Sequence, residues 1–151
     1  MKTNLDDLRH RPILDLSTAT TIGRAEHAVI DVEQRTVVAL ALGKVEGDAT
    51  ILPWDSIRSI GADAITVDNG DLLRAPAGEL EQRTASGSLD PIAKKVLSDA
   101  GDEHGSLDDI VIDSESGAVT DLVIGDRTVP GRALIGIGGY AAILAESTLS
   151  Q

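Results

Sequence analysis

Apolar and polar residues alternate most clearly over Asp109-Ile110-Val111-Ile112-Asp113, where the two isoleucines share one face and Asp109, Val111 and Asp113 the other. A period of two over such a run predicts a half-buried β-strand. Ala28–Val32 and Thr36–Leu42 are two further β-rich runs, separated by the polar turn Glu33-Gln34-Arg35. The corresponding turn downstream is Ser114-Glu115-Ser116-Gly117, whose glycine suits a positive φ. Pro53 and Pro130 fall where short strands end, as expected at an edge or corner. The one credible helix start has Asp90 as N-cap and Pro91 at the first helical position, and the helix runs only to about Val96. The pattern predicts an all-β chain of short strands closed into small antiparallel barrels.

The same pattern occurs twice. Residues 22–43 align without a gap on residues 104–125, and the identities are Gly23/Gly105, Val29/Val111, Ile30/Ile112, Asp31/Asp113, Glu33/Glu115, Val37/Val119, Leu40/Leu122 and Gly43/Gly125. Further on, Leu52-Pro53, Ile57 and Ile60-Gly61 lie over Val129-Pro130, Leu134 and Ile137-Gly138. Upstream, Ile13-Leu14 corresponds to Val96-Leu97. The expected organisation is a first repeat at 1–68, a connector with a short helix at 69–95 and a second repeat at 96–151.

Composition narrows the function. The 151 residues contain no cysteine, which excludes disulfides, thiolate metal sites and cysteine nucleophiles. With one Trp, one Tyr and no Phe, the core has to be built from Val, Ile, Leu and Ala. A net charge of −12 repels phosphate backbones and anionic membranes, so direct nucleic-acid binding is not expected. Met1-Lys2-Thr3-Asn4-Leu5-Asp6-Asp7 puts acids where a signal peptide needs an apolar stretch. Ala133–Ala145, the longest greasy run, is too short to span a bilayer. A cytoplasmic protein without membrane insertion is the expectation.

The run Ile22-Gly23, Val29-Ile30-Asp31, Val37-Val38-Ala39-Leu40 and then Ile51-Leu52-Pro53-Trp54-Asp55-Ser56-Ile57, ending Ile60-Gly61-Ala62-Asp63-Ala64-Ile65-Thr66-Val67, resembles the PRC-barrel domain. That domain is shared by the photosynthetic reaction-centre H subunit and the ribosome-maturation factor. Residues 22–67 carry the likeness well and 104–145 with losses: Pro-Trp-Asp becomes Pro130-Gly131-Arg132. The resemblance implies two PRC-like barrels in tandem and a role in macromolecular contact. It implies no reaction.

Candidate chemistry is sparse. His10, His27 and His104 accompany no serine-nucleophile motif, and no catalytic residue is assigned. The acidic stretch from Asp99 to Asp126, which includes Asp108, Asp109 and Asp121, has no Lys or Arg. It fits no EF-hand, because a loop starting at Asp99 puts Gly101 where an oxygen ligand is required. A solvated face, a docking surface for a basic partner and weak metal binding stay open, with no metal site assigned. Gly136-Ile137-Gly138-Gly139-Tyr140-Ala141 mimics a dinucleotide fingerprint, but only ten residues follow it, so the βαβ unit cannot form and no cofactor is expected. Trp54 is either a plug at the barrel end or an interface anchor, and Tyr140 invites the same two readings. Val37, Ala39 and Ala41 make a strand face too apolar to stand in water, so the other repeat, the connector or a second chain has to cover it. The leading expectation is a non-enzymatic protein-interaction adaptor with a protein partner, basic in charge, and with a homo-oligomer left open. A ribosome-associated protein contacting a ribosomal protein and a small-ligand-binding barrel are the alternatives.

Overall fold

The computed structural model describes residues 1–149. The first half of the chain contains β1 (Lys2–Asn4), α1 (Leu5–Leu8), β2 (Pro12–Asp15), β3 (Thr20–Asp31), β4 (Thr36–Gly43), β5 (Ile51–Pro53), β6 (Ile57–Ile60) and β7 (Ile65–Val67). A helix, α2 (Gly78–Ala85), lies in the connecting segment. The second half contains β8 (Lys95–Ser98), β9 (Glu103–Ser106), β10 (Asp109–Asp113), β11 (Val119–Ile124), β12 (Arg127–Pro130), β13 (Leu134–Ile137), β14 (Ala141–Leu144) and α3 (Glu146–Leu149). The fold is mostly β, as the alternation predicts.

The strands form three open sheets rather than closed barrels, with orders β5-β4-β3-β2-β7-β6, β1-β10-β11-β12 and β13-β14-β8-β9. Nor is the pairing wholly antiparallel, because β2 runs parallel to β7 and β14 parallel to β8. Apart from β1, which pairs with β10, each parallel pair joins the first strand of its half to the last, a closure that local periodicity cannot reveal. Strand β3 runs unbroken for twelve residues, whereas the aligned stretch of the second half is split into β9 and β10 at Leu107-Asp108.

The two long hairpins turn for the same reason. Asp31 Oδ1 accepts the Glu33 and Gln34 N–H groups, and Asp113 Oδ1 accepts those of Glu115 and Ser116. Each aspartate thus builds an Asx turn, which a left-handed residue completes, Arg35 at φ 51° or Gly117 at φ 79°. The core is aliphatic, with Ile13, Leu52, Ile65, Ile110, Ile112, Leu122 and Leu134 fully enclosed. Its one aromatic member is Trp54.

One sequence expectation needs correction here. No helix runs from Asp90 to Val96: Asp90 caps a turn by accepting the Ile92 N–H at 3.0 Å, Ala93 takes φ 72°, and β8 starts at Lys95. The left-handed residue ends any helix, and Val96 is drawn into the ladder beside β14. The connector's helix is α2, which has no side-chain N-cap and whose position is set by packing. The chain's first strand crosses to the second half, where β1 pairs antiparallel with β10.

Candidate functional site

The two halves meet where their hairpin turns touch. Val37 N–H donates to Gly117 O at 2.8 Å, and Val119 N–H donates to Arg35 O at 2.8 Å. Thr36 and Ala118 form the antiparallel bridge between these bonds. In the sequence alignment Arg35 corresponds to Gly117 and Val37 to Val119, so the contact is reciprocal.

The side chains around this bridge are exchanged between the halves. Trp54, only 7% exposed, lies over Gly117; a Cβ on that glycine would stand 3.3 Å from the indole and 2.5 Å from Val37 O. On the opposite flank the residue aligned with Trp54 is Gly131, where a Cβ would stand 2.1 Å from Val119 O. Arg35 reaches across to the same half, its Nε–H donating to Leu134 O at 2.8 Å. One flank is therefore filled by Trp54 over Gly117, while on the other Gly131 lies tight against the Val119 backbone.

Each half also sends its leading segment onto the other. Asn4 Nδ2 donates to Asp109 Oδ2 at 2.8 Å, the Asp6 N–H donates to Asp109 Oδ1 at 3.0 Å, and Lys2 Nζ lies 3.4 Å from Asp121. In the first half the residue aligned with Asp109 is His27. Its Nδ1 lies 3.0 Å from Oδ2 of Asp90, at the end of the connector, and Arg9 pairs with the same carboxylate. Burial alone would raise the Asp90 pKa. The hydrogen bonds from His27 and the Ile92 N–H, with the charge of Arg9, outweigh it and hold the carboxyl below its usual value.

The residues singled out from sequence fall into two groups. Val37, Ala39, Ala41 and Trp54 are enclosed by the chain itself and offer no free surface. Ala39 and Ala41 form a small cluster with Val29 and Ile51, and Ala85 of α2 packs on it, so the connector is the cover that the apolar strand requires. That helix is pinned by Arg74, which pairs with Ile51 through the backbone and grips Glu81 with both guanidinium nitrogens. Asp108, Asp109, Asp121 and Tyr140 lie on the second half's surface or partly open to it. Asp108 accepts the Gly125 N–H at 2.7 Å and Asp109 holds the N-terminal arm, so both also have structural duties. Tyr140 is 72% exposed, with Lys95 Nζ 4.6 Å from its ring centre. It stands in the turn between β13 and β14, where Gly138 N–H donates to Ala141 O.

Sequence reasoning missed Arg35, Gly131 and the His27–Asp90 pair. The first two carry a readable signal, a glycine opposite a large residue at each aligned position. The last joins residues 63 apart and has none. Two grooves flank the seam: one of about 400 Å³ beside Trp54, Ile57, Ile60 and Ser114, and one of about 150 Å³ beside Ile30, Leu80, Leu89 and Ile137. No helix among the described residues is long and apolar enough to cross a membrane.

A mostly β chain with an Asx-turned hairpin, a Pro-Trp corner and a first strand closing parallel on the last defines a small β module of definite type. Residues 3–74 match the family model of the PRC-barrel domain, and this part of the chain is such a domain. The match ends at Arg74, the residue that closes the edge of β5. No curated protein matches the chain.

Proposed function

We propose that the chain is a non-enzymatic protein-interaction module in which a second PRC-like unit, residues 96–149, is locked to the first as one chain's version of a dimer. The observation that carries this reading is the reciprocal pair of seam bonds, Val37 to Gly117 and Val119 to Arg35. A contact in which aligned residues exchange the same bonds is what a two-fold interface between copies produces. Matching backbone bonds support it: His10 to Ala25 at 2.6 Å beside Ala93 to Leu107 at 2.7 Å, and Gly61 to Ala64 at 2.9 Å beside Gly138 to Ala141 at 3.0 Å. Such a scaffold holds the outer faces of its halves at fixed geometry, and those faces have diverged. The first is sealed by α2, and the second carries Asp109 and Asp121. With a charge of −12 the partner is a protein, basic at its contact, and not a nucleic acid.

The test is affinity capture on the immobilised full chain from lysate, with nuclease, at low and high salt. A stoichiometric protein partner released by salt supports the reading. Nuclease-resistant ribosomal proteins would make the partner ribosomal. Failure to retain any protein at low salt overturns it.

A further inference from the structure

The two halves present the same sheet face, and only one of them is covered. In the first half Val29 faces Ala39 and Ala41 faces Ile51 across the ladder, and all four are at most 2% exposed beneath α2. In the second half the aligned pairs are Val111 with Asp121 and Val123 with Thr128. Their neighbours Ile110, Ile112, Leu122 and Ile124 point into the core, so this set points outward. Val111, Asp121 and Val123 are half-buried and Thr128 is exposed, and α2, the helix that covers the first half's pairs, does not reach them. The arm β1 pairs along β10 with Asn4 beside Val111, and Lys2, itself 65% exposed, reaches across to Asp121 at 3.4 Å.

We propose that the outer face of β10–β12, centred on Val111, Asp121 and Val123, docks a basic amphipathic helix of a partner protein. The proposal rests on the interaction-module reading and names its surface and its partner's chemistry. The shape follows from the first half, where the same strand pairing already seats a helix with a small residue, Ala85, at the contact. The charge follows from the substitutions between halves. Asp121 stands where Ala39 lies under α2, and Asp109 stands where the first half has His27. The Asp121 carboxylate has one cation, the 65% exposed Lys2 at 3.4 Å, and the Thr120 hydroxyl; a helix seated here would bury it, and a closer cation from the occupant would compete with that long, solvated pair. Lysine or arginine stems covering Val111 and Val123, with their heads at Asp121, satisfy both demands. Helix α2 could not serve as its own occupant here, since its first turn carries Glu79 and Glu81.

The test uses the full chain, isotope-labelled, and a synthetic peptide of residues 76–89 carrying Glu79→Lys and Glu81→Lys. The unmodified peptide is the control. The expected result is saturable amide shifts confined to β10–β12 with the lysine peptide and none with the control. Affinity should fall about fivefold or more with Asp121→Asn, and likewise in about 0.5 M sodium chloride. Thr128→Arg, on the exposed rim of the face, should weaken the peptide similarly without affecting the fold. Shifts that map elsewhere, shifts indifferent to Asp121→Asn, or no saturable shift at millimolar peptide overturn the proposal. If lysate capture nevertheless survives Asp121→Asn, the module reading stands and only this surface is wrong.

Discussion

Gly117→Ala isolates the contribution of the seam. Gly117 has φ 79° and Gly47 has φ 83°, so an alanine at either position carries the same left-handed penalty, about 1 kcal/mol. The surroundings differ completely: a Cβ on Gly47 meets nothing within 4 Å, while one on Gly117 stands 2.5 Å from Val37 O. That carbonyl cannot rotate away alone, because Val37 N–H holds Gly117 O and Val119 N–H holds Arg35 O. Losing both bonds costs about 1 kcal/mol each, and the stranded buried groups add about 1 kcal/mol more. Gly117→Ala should therefore destabilise by about 4 kcal/mol and Gly47→Ala by about 1 kcal/mol. For a chain of this size the difference corresponds to about 10 °C in Tm. Urea unfolding followed by circular dichroism and by the fluorescence of Trp54, the only tryptophan, measures it. Coincident transitions by the two probes are expected if the halves unfold together. Equal destabilisation by the two alanines would refute the view that the seam holds the halves together.

Trp54→Ala opens a void that merges with the adjoining groove, and should cost about 3 kcal/mol, read in the same unfolding experiment by circular dichroism. The Asp90 carboxyl has its pKa lowered, so its contribution is present above the unfolded value of 3.8 and lost as pH falls through the lower native value. Asp90→Asn should therefore be less stable than the parent at pH 7, and the gap should close in acid; a gap that persists undiminished there refutes the linkage. Arg74→Ala removes the two-pronged grip on Glu81 and should cost about 1 kcal/mol, with faster hydrogen exchange in α2 as the local signature. Asp15, a buried carboxylate, accepts the Ser17 hydroxyl and the Ser17 and Gly70 N–H groups. Asp15→Ala should accelerate exchange at Gly70 while leaving the second half unchanged.

Much of the fold was legible because it is local. The alternation over Asp109–Asp113 places Ile110 and Ile112 inside, and both are fully enclosed. The recurring aspartates at 31 and 113 are Asx-turn builders, which a single residue and its next few neighbours suffice to specify. Periodicity puts Val37, Ala39 and Ala41 on one face in need of a cover, but a bulge at Val38 turns Val37 into the main core and leaves Ala39 and Ala41 for the cover. The sequence left three candidates, and α2 supplies it. The Asp90-Pro91 signal was misread as a helix start because an Asx turn uses the same capping bond for its first step. Trp54 could be read as plug or anchor; in the structure it is 7% exposed and lies over Gly117 of the other half.

The sequence by itself determined most of the strands, the hairpin turns and the aliphatic core, because each depends on residues within a few positions of one another. Only the tertiary structure decided that β2 closes on β7 and β8 on β14, that the leading arm crosses to β10, that Trp54 lies over Gly117 and that Arg35 reaches Leu134. The physical reason is that such contacts are chosen among many pairings of equal local merit. What selects them is the space left by the other half and the shared need to pair every buried N–H and C=O.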